Sequence, residues 1–214
     1  MVTTASDRIL RPFRHNRLLQ GLTALFVIVW LVGAIAPVNR FDWFLENLLV
    51  FAAVGLLGYF YRTRPLSDLS YTLIALFLML HTIGSHYTYA MVPPGFWLQD
   101  ALTLERNPFD RIIHFSFGVL SFYPIREVLI RHVGTGRYLS AFVSFTIIAT
   151  SSVVYEIIEW IVAVLVSPEA AMAYLGTQGD AFDAQKDSAM AIAGVFFALL
   201  LMRRFKIMPE NSGI

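Results

Sequence analysis

The run YLSAFVSFTIIATSSVVYEIIEWIVAVLV, residues 138–166, decides the fold. It carries only two charges, Glu156 and Glu159, in 29 residues. A bilayer core about 30 Å thick takes roughly 20 helical residues to cross. Inside lipid, every backbone N–H and C=O must be bonded within the segment or the protein, so such a run must be a helix. A barrel strand would alternate in polarity over about 10 residues, and this run does not. Five further apolar runs flank it: Leu18–Ala36, Trp43–Tyr61, Ser70–Ala90 and Ile112–Ile130 before, and Ala184–Met202 after. The expected fold class is all-α, a polytopic six-transmembrane-helix bundle. A basic N-terminal segment (1–17), the bundle (18–203) and a short tail (204–214) fill the chain.

Composition supports this from a different direction. The 214 residues are 57% hydrophobic and only 14% charged, with mean hydropathy +0.63. A soluble domain carries about 25% charged residues. This chain cannot coat a water-facing surface, which argues against a soluble enzyme, a disordered chain or a nucleic-acid binder. The partner it requires is the lipid bilayer. It has no cysteine, hence no disulfide, thiolate metal site or cysteine nucleophile.

The basic residues set an expected orientation. Arg8, Arg11, Arg14 and Arg17 precede the first run, and Arg62 and Arg64 follow the second. Arg126, Arg131 and Arg137 lie around the fourth-to-fifth connection, and Arg203, Arg204 and Lys206 follow the sixth. Twelve of the 16 basic residues therefore fall on one side, and an even number of spans puts both termini there, in the cytoplasm. The first run reads as a retained anchor: it is longer than a signal-peptide core of 7–15 residues. Trp43, Trp97 and Trp160 mark the outer boundary, and Tyr61, Tyr71 and Tyr138 the inner one. The long outer loops are 91–111 and 167–183, with Val92-Pro93-Pro94-Gly95 read as a turn.

An ionisable residue within a membrane costs a few kcal/mol or more, and so marks a candidate functional site. At about 1.5 Å per residue, His81 lies near the midplane and His86 in the outer third. Glu156 and Glu159 lie in the outer half. Asp110, Arg111 and His114 open the fourth run, while Asp180, Asp183, Lys186 and Asp187 lead into the sixth. Helices of alternating direction thus place their polar groups in one half of the membrane. Glu156 and Glu159 (i,i+3), Asp110 and His114 (i,i+4), and Asp183 and Asp187 (i,i+4) each share a face. His81 and His86 are five apart, so only one of them can face a common centre. The inner half holds Arg126 and Glu127, placed to snorkel or pair near the interface.

Clustered carboxylates in a low dielectric must protonate or find a cation. Carboxylate with imidazole and no sulfur suits a divalent cation: Zn, Mg, Mn or Fe. The candidate ligands are His81, His86, Asp110, His114, Glu156, Glu159, Asp180, Asp183 and Asp187. Candidate catalytic groups are Glu156, Glu159 and Asp183; candidate substrate contacts are Arg111, Gln178 and Lys186. Three readings stay open: a metal-dependent enzyme embedded in the membrane and acting on a lipid-like substrate, a small transporter or proton pathway, and a scaffold whose cluster is only an ion-pair network. Asp110 and Asp180 also fit as plain helix caps, and the segment Tyr174–Asp180 as a plain glycine turn. No common hydrolase, nucleotide-binding or zinc-protease motif occurs.

Four strings, HTIGSHYTYA (81–90), NPFDRIIHFSFG (107–118), YEIIEW (155–160) and YLGTQGDAFDAQKD (174–187), resemble the YjdF-like family of bacterial inner-membrane proteins. The resemblance covers about residues 15–205. It implies a multi-pass protein of the bacterial plasma membrane and assigns no catalytic residue.

Overall fold

The computed structural model describes residues 12–167, 171 and 174–209. All its described regular structure is helical. The outer parts of the N-terminal segment (1–11) and of the tail (210–214) lie outside the described residues. The elements are α1 Arg17–Gly33, α2 Arg40–Thr63, α3 Asp68–His86, α4 Pro93–Leu102, α5 Phe109–Val128, α6 Arg137–Leu165 and α7 Asp183–Arg204. A π-helical turn, Leu129–Val133, extends α5. Five of these helices are long and apolar enough to cross a membrane. The remaining apolar helix, α1, has 17 residues, about 25 Å at 1.5 Å per residue.

Helix starts follow local chemistry. The side chains of Asn16, Asn39 and Ser67 accept backbone N–H groups at the first turns of α1, α2 and α3, which satisfies donors that have no intrahelical partner. Residues 91–111 are not simply a loop. Pro93 and Pro94 occupy the first turn of α4, where a missing N–H costs nothing and the fixed φ favours the helix; the turn expected at 92–95 is instead this helix start. Its exposed side carries Phe96, Trp97, Leu98 and Leu102.

The bundle is organised around α5 and α7. They cross at Gly118 and Gly194, where a Cβ on Gly118 would sit 2.0 Å from the Ala191 carbonyl oxygen and one on Gly194 2.2 Å from that of Phe115. Two backbones can approach this closely only across small residues, as membrane helices favour. Phe122, Ile148, Ala191, Val195, Ala198 and Met202 form the apolar core beside the crossing. α3 packs on the other side of α5, α1 packs on α3, and α6 covers α5 and α7. At the top of α1, His86 donates from Nδ1 to the Gly33 carbonyl at 2.9 Å.

At the end of the bundle where α5 finishes and α6 starts, Glu127 is held by every donor within reach. It accepts from Ser67 N at 2.9 Å, Ser67 Oγ at 2.7 Å, Ser70 Oγ and the Arg131 guanidinium. The π turn after α5 carries Arg131 one turn beyond Glu127. This carboxylate is fully paired.

Candidate functional site

The opposite end of the bundle gathers the N-terminal turns of α2, α5 and α7 and the C-terminal parts of α3 and α6. Because side chains one turn apart share a helix face, each helix delivers a pair of polar groups there. From α5 come Asp110 and His114, from α6 Glu156 and Glu159, and from α7 Asp183 and Asp187. Two groups of three have ligand atoms all within 4.8 Å of one another: His114, Glu156 and Asp187, and Asp110, Asp183 and Asp187. Asp187 belongs to both. It is 2% exposed, and its Oδ1 has no hydrogen-bond partner. Glu156 Oε1 is also buried without a partner. His114 Nε2 lies 3.2 Å from that oxygen but outside hydrogen-bond geometry, so the pair are neighbours without a bond. His114 Nδ1 is 3.3 Å from Ser152 Oγ, which orients the ring.

A second polar chain runs beside these groups, built on the selected His81 and on Glu46, Tyr89 and Tyr155, which the sequence alone did not single out. Glu46 of α2 is 4% exposed and accepts from Tyr155 OH at 2.5 Å and Tyr89 OH at 3.2 Å. The Tyr89 hydroxyl also lies 2.7 Å from His81 Nδ1, and His81 Nε2 donates to the Glu46 backbone oxygen at 3.1 Å. Of the two α3 histidines, His81 therefore faces the cluster, while His86 is committed to Gly33. Tyr89 holds φ at +51°, costly for a non-glycine residue, and its ring packs where any Cβ on Gly84 would clash at 2.3 Å. One turn before Glu46, the Asp42 carboxylate is buried with both oxygens unpartnered. Asp42 and Glu46 obey the same i,i+4 rule as the selected pairs. Tyr89 has no such signal, because its approach depends on the left-handed turn after α3.

Two arginines brace the entry to α7. Arg106 pairs with Asp183, lies 3.8 Å from Asp110, and donates to the Thr177 carbonyl at 3.1 Å. Arg111 lies 2.5 Å from Asp180 and 3.7 Å from Asp183. Asp180 also takes Lys186 Nζ at 2.6 Å and the Phe182 N–H at 3.0 Å. The Lys186 bond foremost, with the Phe182 N–H and Arg111, draws its carboxyl down to about 2. Asp180 is thus a neutralised cap. Asp110 is in the first turn of α5 and is not its N-cap, which is Pro108; Asn107 Oδ1, just before it, accepts from Phe109 N at 3.1 Å. Gln178 locks its amide to both backbone groups of Asn107, at 3.0 and 3.2 Å.

A cavity of about 100 Å³ opens against this cluster. Leu49, Phe77, Ile113 and Phe117 supply its apolar wall, and His81, Tyr89, Asp110, His114, Tyr155 and Glu159 its polar one. Among the described residues, seven carboxylates besides the paired Asp180 meet at this end: Asp42, Glu46, Asp110, Glu156, Glu159, Asp183 and Asp187. Among the described residues, the ion pairs that reach them from arginine come from Arg106 and Arg111. Such an excess of buried and half-buried carboxylates requires protons or another cation.

Fold and site together define a multi-pass helical membrane protein with a buried carboxylate–imidazole cluster at one end of its bundle. Residues 18–207 match the family described as "Predicted membrane protein (DUF2238)", and the chain belongs to that family. It is also 36% identical over 199 residues to "Inner membrane protein YjdF" of Escherichia coli (strain K12), covering 92% of this chain and 93% of the relative. This places it in the inner membrane. No solved structure matches the chain.

Proposed function

We propose that the protein is a metal-dependent enzyme embedded in the inner membrane, acting on a lipid-like substrate from the periplasmic side. The carrying observation is the convergence of His114, Glu156 and Asp187, with buried oxygens on the two carboxylates that no donor satisfies. Ligands about 2.0–2.2 Å from a metal ion lie roughly 3–4.4 Å apart. The 3.2 Å between His114 Nε2 and Glu156 Oε1 falls in that range; Asp187 within 4.8 Å needs only a side-chain adjustment. The Ser152 hydroxyl on the far nitrogen of His114 is the kind of support that fixes a ligating ring. Carboxylate and imidazole without sulfur fit Zn, Mg, Mn or Fe. Asp183 is occupied by Arg106, and Glu156 belongs to the ligand set. Glu159, which lines the cavity but joins neither triad, remains as general base. The apolar wall of the cavity suits an acyl chain or isoprenoid, with the scissile polar group against His114. The Lys/Arg distribution puts both termini in the cytoplasm and hence this end outside.

The test is turnover. Purified protein in nanodiscs of total bacterial lipid is incubated with and without EDTA, and lipids are followed by mass spectrometry. The expected result is a metal-dependent change in one lipid class, with Glu159→Gln retaining metal and losing the reaction. Identical lipid profiles for wild type, Glu159→Gln and EDTA-treated protein contradict the proposal.

A second reading rests on the continuous chain Tyr155–Glu46–Tyr89–His81, whose 2.5–3.2 Å links suit proton passage. If the protein is a proton pathway, proteoliposomes show a pH flux that Tyr155→Phe abolishes. The enzyme reading expects no flux.

A further inference from the structure

The end of the bundle remote from the carboxylates holds the reverse imbalance. Arg126, on the last turn of α5, is 4% exposed. Its neighbour in sequence, Glu127, points to the other face and is consumed by Ser67, Ser70 and Arg131. Arg126 instead donates from NH2 to the Arg137 carbonyl at 3.0 Å. Its NH1 faces the sulfurs of Met202 at 3.9 Å and Met208 at 4.0 Å, its guanidinium carbon lies 5.6 Å from the Phe122 ring centre, and its Nε is buried without a partner. Among the described residues no carboxylate pairs with it. A buried guanidinium without a counter-charge is costly, and guanidinium geometry suits a bidentate oxyanion.

Arg126 lines an open cavity of about 310 Å³. Arg137, Arg203 and Lys206 line the same cavity, and among the described residues no acidic one does. Arg137 opens α6, while Arg203 and Lys206 end α7 and follow it, so three separate helix ends bring the four cations together. The rest of the wall is apolar, from Met202 and Met208 among others. Basic pockets between membrane helices of this kind take anionic headgroups.

We infer that this cavity binds the phosphate of an anionic phospholipid, with Arg126 beneath the phosphate, Arg137, Arg203 and Lys206 around it, and the methionine side receiving the glycerol and upper acyl carbons. The shared chemistry is a phosphoryl oxyanion, which free phosphate also offers; the thioether and methyl wall favours the lipid. The site is independent of the proposed metal centre.

The test uses the full chain in detergent, delipidated and then presented with phosphatidylglycerol or phosphatidylcholine, and bound lipid per chain is counted by native mass spectrometry. Wild type should hold phosphatidylglycerol in preference to phosphatidylcholine. The exposed pair Arg203→Gln/Lys206→Gln, chosen because it leaves the buried Arg126 contacts intact, should lower that preference about tenfold or more, at roughly tenfold per 1.4 kcal/mol and about 1 kcal/mol per basic group. Arg126→Met should remove it altogether, with monodispersity on gel filtration checked in both variants. Competition by millimolar inorganic phosphate, with no gain from the lipid, overturns the lipid assignment. Equal binding of both lipids by wild type, or an unchanged preference in Arg203→Gln/Lys206→Gln, overturns the site.

Discussion

Two glutamates at opposite ends of the molecule, Glu127 and Glu156, differ in what surrounds them, and their variants should differ accordingly. Glu127 is 1% exposed and satisfied by four donors, one of them a guanidinium. Removing one partner of such a buried pair costs about 3–5 kcal/mol, so Glu127→Gln should sharply lower the melting temperature. Glu156 has an unsatisfied oxygen amid like charge. In EDTA-treated protein, Glu156→Gln should therefore leave the melting temperature unchanged or raise it. A fall equal to that of Glu127→Gln would mean that Glu156 is structurally paired. Asp180 gives a pH signature outside the spans. Its carboxyl is held down at about 2, below its ordinary 3.8, foremost by Lys186. The stabilisation is present above pH 3.8 and disappears as pH falls through about 2. The melting gap between wild type and Asp180→Asn, measured from about pH 5 downward, should close over that window; a gap that stays constant down to the lower end would refute the pairing.

At the scale of elements, the α5–α7 crossing is the joint that positions the cluster, because α5 carries Asp110 and His114 and α7 carries Asp183 and Asp187. A side chain at Gly118 or Gly194 meets backbone, which cannot rotate away. Gly118→Ala should cost at least the roughly 1–3 kcal/mol of overpacking, seen as a lower melting temperature, whereas Gly58→Ala, with open space around it, should not. The helices themselves were legible in the sequence because spanning length and charge-free runs are properties of single segments. α4 was hidden because Pro93-Pro94-Gly95 also spells a turn, and only the apolar residues from Phe96 onward, packed or unpacked, decide between a turn and a helix start. The pairs on α5, α6 and α7 came from i,i+3 and i,i+4 spacing. Tyr89 and Arg106 could not, since both act from connections whose path no periodicity encodes. Glu46 and Asp42 carried the signal but lie where an ordinary helix start also carries acidic residues.

For the whole molecule, the uneven charge makes a statement about topology. The carboxylate cluster belongs outside and the arginine cavity inside, if twelve of sixteen basic residues mark the cytoplasm. The absence of native cysteine makes single-cysteine labelling clean. Asp100→Cys, on exposed α4, should react with an impermeant maleimide in intact cells, and Lys206→Cys only after lysis. The opposite pattern would invert the proposed orientation and place the cluster on the cytoplasmic face.

Metal stoichiometry tests the central claim most directly. Detergent-purified wild type, Glu156→Gln, Asp187→Asn and the exposed Asp100→Asn should be compared by inductively coupled plasma mass spectrometry after gel filtration. The account predicts about one divalent ion per chain in wild type and Asp100→Asn, and near none in the other two, all four proteins remaining monodisperse. Metal-free wild type, or metal retained in both Glu156→Gln and Asp187→Asn, would contradict it.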